Sequence, residues 1–206
     1  KDIGTSGHSS LPDVLYNLDL IKSKNTYNNF KSDKDYNNIL INIFNNYYKD
    51  WPQRYIIDRG EWATPANYAL LFKYFDQDIK IIFLLRNPID VIKSYIQLCN
   101  NHPNFYINQQ YNELDKTSLH RTELEEKIEL ITKKGDLVDW SFMAYNFIKD
   151  KKNVHFVKYE DLVKSPVKIL KDIYNFLNIP KFKHNFNIKD QFSINNISYN
   201  DDIMGA

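Results

Sequence analysis

The chain has 206 residues, 43% of them hydrophobic and 15% aromatic, which suits one domain with a substantial core. Its 27 basic and 26 acidic residues leave a net charge of +1, which argues against a general nucleic-acid or membrane-surface binder. The single cysteine, Cys99, excludes an internal disulfide and a cysteine-based metal cluster, and no apolar stretch approaches the ~20 residues of a membrane span.

Residues 1–12, KDIGTSGHSSLP, are small and polar and read as a loop. They do not read as a phosphate loop, which needs a strand before it and a helix starting on it. A helix is expected from Pro12-Asp13 to about Ser23, and a second from about Asp35 to Lys49, stopped by Trp51-Pro52. Tyr55-Ile56-Ile57 reads as a short strand with Asp58-Arg59-Gly60 at its carboxyl end. Thr64-Pro65 then starts a helix reaching about Phe75, a hydroxyl at the cap and proline at the first helical position.

The organising stretch follows, Ile79 to Leu98. The apolar run Ile81–Leu85 is dense enough for a strand buried on both faces. Arg86 stands at its end, and Asn87-Pro88 breaks the ladder because proline lacks an N–H. From Ile89 the pattern turns helical, with Ile89, Ile92, Tyr95 and Ile96 on one face. Ser94 lies eight residues after Arg86, so a cation at a strand end and a hydroxyl on the next helix converge. Ligands of open α/β sheets bind in that crevice, and guanidinium, hydroxyl and helix N-terminus together suit a phosphate. The same residues also fit an ordinary strand–turn–helix with Arg86 in a surface ion pair.

Asn100 to His120 lacks a clean period and reads as a functional loop or lid. Helices are expected from Thr122 to Lys133 and from Leu137 to Asp150, then a strand over Val154–Val157. Tyr159-Glu160-Asp161-Leu162 closes that strand, and Ser165-Pro166 opens a helix through about Leu177. The last 25 or so residues are Asn-rich and without pattern. Alternation of strand and helix points to a parallel sheet. His102, His120, His155 and His184 show no paired ligand spacing, so no metal is expected. No Gly-x-Ser-x-Gly nucleophile motif is present.

The strand–Arg86-Asn87-Pro88–helix–Ser94 segment resembles the 3′-phosphate-binding motif of the PAPS-dependent sulfotransferases, including the protein-tyrosine and carbohydrate enzymes. VHFVKYEDLVKSPVKILKDIYNFLNI adds a second match, a strand, Tyr-Glu-Asp-Leu, a proline and a helix ending in Phe-Leu. The two matches stand in the family's order and cover about residues 54–98 and 137–179. The resemblance implies a single domain over 1–206, incomplete at both ends. Its fold would be a three-layer α/β/α sandwich with a short parallel sheet, of the P-loop-NTPase-like kind. It implies transfer of a sulfonate from 3′-phosphoadenosine 5′-phosphosulfate (PAPS) to an acceptor hydroxyl or amine, without a metal.

On that resemblance Arg86 and Ser94 hold the 3′-phosphate and Tyr159 lies near the adenosine, although a strand-end tyrosine packed on the sheet fits Tyr159 equally. Arg59 matches a basic residue, often Lys in the family, that stabilises the transferring sulfonate; an Asp58–Arg59 structural pair is the alternative. His8 is the candidate general base, with Glu61 as the competing choice. Glu160 and Asp161 read as structural carboxylates that satisfy backbone N–H groups. The family's Pro-Arg/Lys-Ser-Gly loop for the 5′-phosphosulfate is expected to be missing. A small-molecule kinase, or a binding module that kept the fold, are the alternatives; a kinase would need Mg²⁺ held by carboxylates. The single cysteine and the lack of a visible signal peptide slightly favour the cytoplasm.

Overall fold

The computed structural model describes residues 2–24, 33–75, 78–115, 121–186, 193–194 and 197–198. Strands and helices are mixed in the expected α/β class. Two compact units divide after Ile81, the first also including a small antiparallel pair, Ser193–Ile194 with Ile197–Ser198. The end of the expected central loop, with His120, and most of the Asn-rich tail lie outside the described residues.

The first unit opens on a strand where a loop was expected. β1, Ile3–His8, pairs in parallel with β2, Tyr55–Arg59. Ile3, Gly4 and Thr5 stand opposite Tyr55, Ile56 and Ile57, and after a register shift His8 stands opposite Arg59. Gly-Thr-Ser-Gly has little strand propensity of its own. The ladder to a partner some fifty residues away supplies what the local sequence lacks. Gly4 is buried, and a Cβ there would lie 3.1 Å from Trp51 Cε3, so the small residue allows the indole to cover the strand.

α1, Leu11–Lys24, follows almost at once, its first turn closed by the Val14 N–H donating to the Ser10 carbonyl. Pro12 falls in that first turn, where its missing N–H costs nothing. The helix expected over residues 35–49 is instead two, α2 (Asp33–Ile41) and α3 (Ile43–Tyr47). They are separated by Asn42 at φ −93° and ψ 4°, outside helical geometry. α4 is Pro65–Tyr74; the Thr64 hydroxyl does not cap it but donates back to the Glu61 carbonyl at 3.2 Å. Leu11, Leu15, Leu40, Tyr48, Trp62, Leu70, Leu71 and Tyr74 form the core of the unit.

The second unit is built on β3, Ile81–Leu85, hydrogen-bonded to β4, Val154–Lys158. Phe83 and Phe156 meet edge to face with centroids 5.8 Å apart. Side chains alternate across a strand, and Leu84 on the other face is 52% exposed. Burial on both faces, expected for this strand, is therefore not found. α5, Pro88–Asn101, packs Ile92, Tyr95 and Ile96 of the expected face on the core, whereas Ile89 in its first turn is 60% exposed.

The stretch read as a loop or lid contains α6, Tyr106–Glu113. It is anchored by buried Ile107 and by Asn108, which donates to the Cys99 and His102 carbonyls at 2.7 and 3.0 Å. α7, Glu123–Thr132, starts on a capping box between Thr122 and Glu125. Cys99, Ile107, Leu130 and Ile131 form the core beneath α5, α6 and α7. α8 is Leu137–Ile148, α9 is Tyr159–Lys164 and α10 is Pro166–Leu177, ended by Asn178 in the left-handed region.

Candidate active site

In the second unit β3 ends at Leu85, and Pro88 begins α5 at its first position. Between them Asn87 caps the helix, its side chain accepting from the Ile89 N–H at 2.9 Å. A residue before proline is pushed to extended backbone, and Asn87, at ψ 122°, follows that rule. The bend leaves Arg86 exposed at the strand end. Its guanidinium carbon lies 4.6 Å from the centroid of the Tyr159 ring, the first residue of α9.

Leu85, Arg86, Asn87, Asp90, Lys158 and Glu160 line an open groove of about 340 Å³ here. The carboxyl ends of β3 and β4 therefore open on the same space. The Asn87 N–H donates to Glu160 Oε1 at 3.3 Å. That carboxyl is held below the usual glutamate range by its own backbone N–H and by that of Asn87, with the Arg86 and Lys158 charges adding to the effect. Glu160 thus satisfies backbone donors as its position suggested. Asp90 pairs with Lys93 at 3.6 Å. Ser94, half-buried, follows Asp90 by four residues and lies on the same face of α5.

The groove offers an anion a guanidinium and an ammonium; the N–H groups of Asn87, Ile89, Asp90 and Val91 at the helix start are already bonded to Glu160 or to Asn87. It also presents two carboxylates, so its net charge is balanced before any ligand enters. Lys158 was missed in the sequence, although it stands at a strand end as Arg86 does, one residue before Tyr159.

The other candidates belong to the first unit. His8 and Arg59, both exposed, are opposed residues at the carboxyl ends of neighbouring parallel strands. The turn after β1 is tied to the end of β2 by its backbone and hydroxyls. The Ser9 N–H donates to the Arg59 carbonyl at 2.7 Å, and the Arg59 N–H donates to Ser6 Oγ at 2.9 Å. Asp58 is held by neutral donors from three segments. Its Oδ1 accepts from Ser9 Oγ at 2.8 Å and from Trp62 Nε1 at 2.6 Å, and its Oδ2 accepts from the Tyr48 hydroxyl. Burial and the Asp58 carboxylate push the Tyr48 phenol well above its ordinary range, so it stays protonated and donates. Glu61, exposed, follows Gly60 and accepts from Thr64 and Asn67 through its carbonyl.

The strand β1, the turn from His8 to Ser10 and the helix α1 form the context that a phosphate loop requires. The expectation that no such unit exists in the chain is corrected on that point. Gly4-Thr5-Ser6-Gly7 matches Pro-Arg/Lys-Ser-Gly only in Ser6 and Gly7, and Thr5 stands where a cation was looked for. Among the described residues no group of three or more His, Cys, Asp or Glu is placed to hold a metal ion. Among them, too, no helix is long and apolar enough to cross a membrane.

Residues 61–202 match the family described as the sulfotransferase domain. Among solved structures, the chain is similar to the sulfotransferase domain from the curacin biosynthetic pathway, at 17% identity and a TM-score of 0.46, over 84% of this chain and 56% of that one. It is also similar to mouse sulfotransferase SULT7A1 complexed with PAP, at 25% identity and a TM-score of 0.41, over 66% of this chain and 44% of that one. The chain thus spans about half the length of these two structures. No curated protein matches it.

Proposed function

We propose that this chain, which belongs to the sulfotransferase domain family, carries sulfonate transfer from PAPS to an acceptor hydroxyl or amine. The observation that carries the reading is the groove at the ends of β3 and β4, lined by Lys158 and by Arg86, which lies on Tyr159. A doubly charged phosphate fits that donor set, because a guanidinium and an ammonium both favour anions. Arg86 and Ser94 would hold the 3′-phosphate, Lys158 would add charge, and Tyr159 would lie beside the adenosine. Family membership implies the three-layer sandwich and one sulfotransferase-like domain over the chain.

PAPS, when bound, supplies an activated sulfonate whose S–O bond to the 5′-phosphate breaks as the acceptor's bond to sulfur forms. The chain's task is then to meet the charge that builds on the leaving bisphosphate and on the sulfonate oxygens. Arg59 suits that task, and it stands opposite His8, which would take the acceptor's proton. The end of β1 and the turn that follows it, Ser6 to Ser10, would take the 5′-phosphate. Lacking the family's cation at Thr5, it would depend on Arg59 for positive charge. No metal is required in this scheme.

The test is transfer of label from PAPS to a panel of hydroxyl and amine acceptors, with and without EDTA. Labelled product that forms equally in both supports the reading. Loss of product in EDTA with rescue by Mg²⁺, or label moving from ATP instead, would assign the site to phosphoryl transfer.

A further inference from the structure

Asp58 stands half-buried at the end of β2, and its two oxygens take three neutral donors. Those donors come from three different places: Ser9 after β1, Tyr48 after α3 and Trp62 before α4. Ser9, Tyr48 and Trp62 are each at most 7% exposed. Taking a carboxylate even partly out of water among neutral groups costs free energy unless its oxygens are hydrogen-bonded. A neutral side chain would meet that cost more easily if holding the core together were its whole purpose. Asp58 also adds negative charge beside a turn proposed to bind an anion, which argues for a compensating gain.

The gain is visible in the backbone. The Asp58–Arg59 segment is joined to the β1–α1 turn at two points, the Arg59 N–H on Ser6 Oγ and the Ser9 N–H on the Arg59 carbonyl. The Asp58 side chain adds a third point, on the Ser9 hydroxyl. With both residues of the strand end engaged, the turn has one register on β2. A charged acceptor makes this link stronger than a neutral one.

We propose that Asp58 is a positioning residue: through Ser9 it fixes the β1–α1 turn against Arg59, in the one arrangement that accepts the 5′-phosphate of the donor. The inference rests on the sulfotransferase reading but assigns a role to a residue that binds no ligand itself.

The experiment uses the full 206-residue chain and two nucleotides, adenosine 3′,5′-bisphosphate and adenosine 3′-monophosphate. Calorimetric titration of Asp58→Asn should show a loss of ~10-fold or more for the bisphosphate, the scale of one hydrogen bond to a charged group. The 3′-monophosphate, which has no 5′ group to misplace, should bind as it does to the parent chain. Ser9→Ala, which leaves Asp58 its other two donors, should give the same selective loss and serves if Asp58→Asn does not fold. Unchanged bisphosphate binding in folded Asp58→Asn overturns the proposal, as does equal loss of both nucleotides in Ser9→Ala. A parent chain that binds neither nucleotide overturns the sulfotransferase reading itself, a different result from either of these.

Discussion

The Arg86 guanidinium lies against the face of the Tyr159 ring, 4.6 Å from its centroid, joining the end of β3 to the start of α9. The ring holds the cation at the mouth of the groove without consuming its hydrogen bonds, since a cation–π contact uses the guanidinium face. Arg86→Ala should therefore weaken adenosine 3′,5′-bisphosphate binding by ~1.5–3 kcal/mol, the range for hydrogen bonds to charged groups. Adenosine 5′-monophosphate, without a 3′-phosphate, should be hardly affected. Calorimetry showing equal losses for the two ligands would remove Arg86 from this role. Tyr159→Leu should cost less, ~0.5–1 kcal/mol, the value of an exposed cation–π pair.

Glu160 gives a prediction in pH. Its folded-state pKa is depressed, first by backbone N–H groups and then by the Arg86 and Lys158 charges. A depressed carboxyl contributes stability that is present above its unfolded pKa and lost as pH falls through the folded one. Glu160→Gln should thus be less stable than the parent at neutral pH, with the gap closing as pH drops below about 4.5. Thermal melts of both chains across that range measure it directly. In the same variant the groove loses a negative charge, so adenosine 3′,5′-bisphosphate should bind more tightly at neutral pH. Weaker binding would mean that the carboxylate orders the Asn87 turn more than it repels the ligand.

Gly60 has no room to become alanine. A Cβ there would lie 2.7 Å from Pro12 Cγ and 3.0 Å from Trp62 Nε1. The proline ring is rigid and belongs to the buried first turn of α1, so the strain must be taken by the backbone. Gly60→Ala should destabilise the chain by ~1–3 kcal/mol, the cost of overpacking a well-filled site. Urea melts would show this as a lower midpoint with an unchanged slope. An unchanged midpoint would mean that the α1–β2 approach is looser than the distances imply.

Legibility in the sequence followed whether a segment's structure is set locally. The Arg86–Asn87–Pro88 turn was readable because proline ends the ladder and Asn87 caps the helix within the same three residues. The capping box of Thr122 and Glu125, like the start of α10 at Ser165-Pro166, is local chemistry of the same kind. β1 was not readable, because its Gly and Ser residues signal a turn and its ladder partner is remote. Missing β1 also hid the opposition of His8 and Arg59 and the role of Asp58. The break at Asn42 carries no Gly or Pro to mark it. α6 was hidden because the residues around it are mostly polar, and the buried Ile107 and the Asn108 amide that tie it down do so through partners on other segments.

His8 and Arg59 are opposed across β1 and β2, and their variants should fail differently. If His8 takes the acceptor's proton, His8→Ala should lower turnover by ~10²–10⁴-fold, the usual loss for a general base. Its affinity for PAPS should change little, because the proton acceptor acts after the donor is bound. The pH–rate profile should also differ from that of the parent, since the proton acceptor is gone. Arg59→Ala should lower turnover as well, but keep the parent's pH–rate profile, because it removes charge stabilisation and leaves the base. Arg59→Lys should recover part of the loss, as an ammonium restores the charge without the planar fork. The comparison is the pH–rate profile of the parent and the three variants against an acceptor found in the screen. Normal turnover with an unchanged profile in His8→Ala would move the base elsewhere, and Glu61, exposed three residues beyond Asp58, is then the residue to replace.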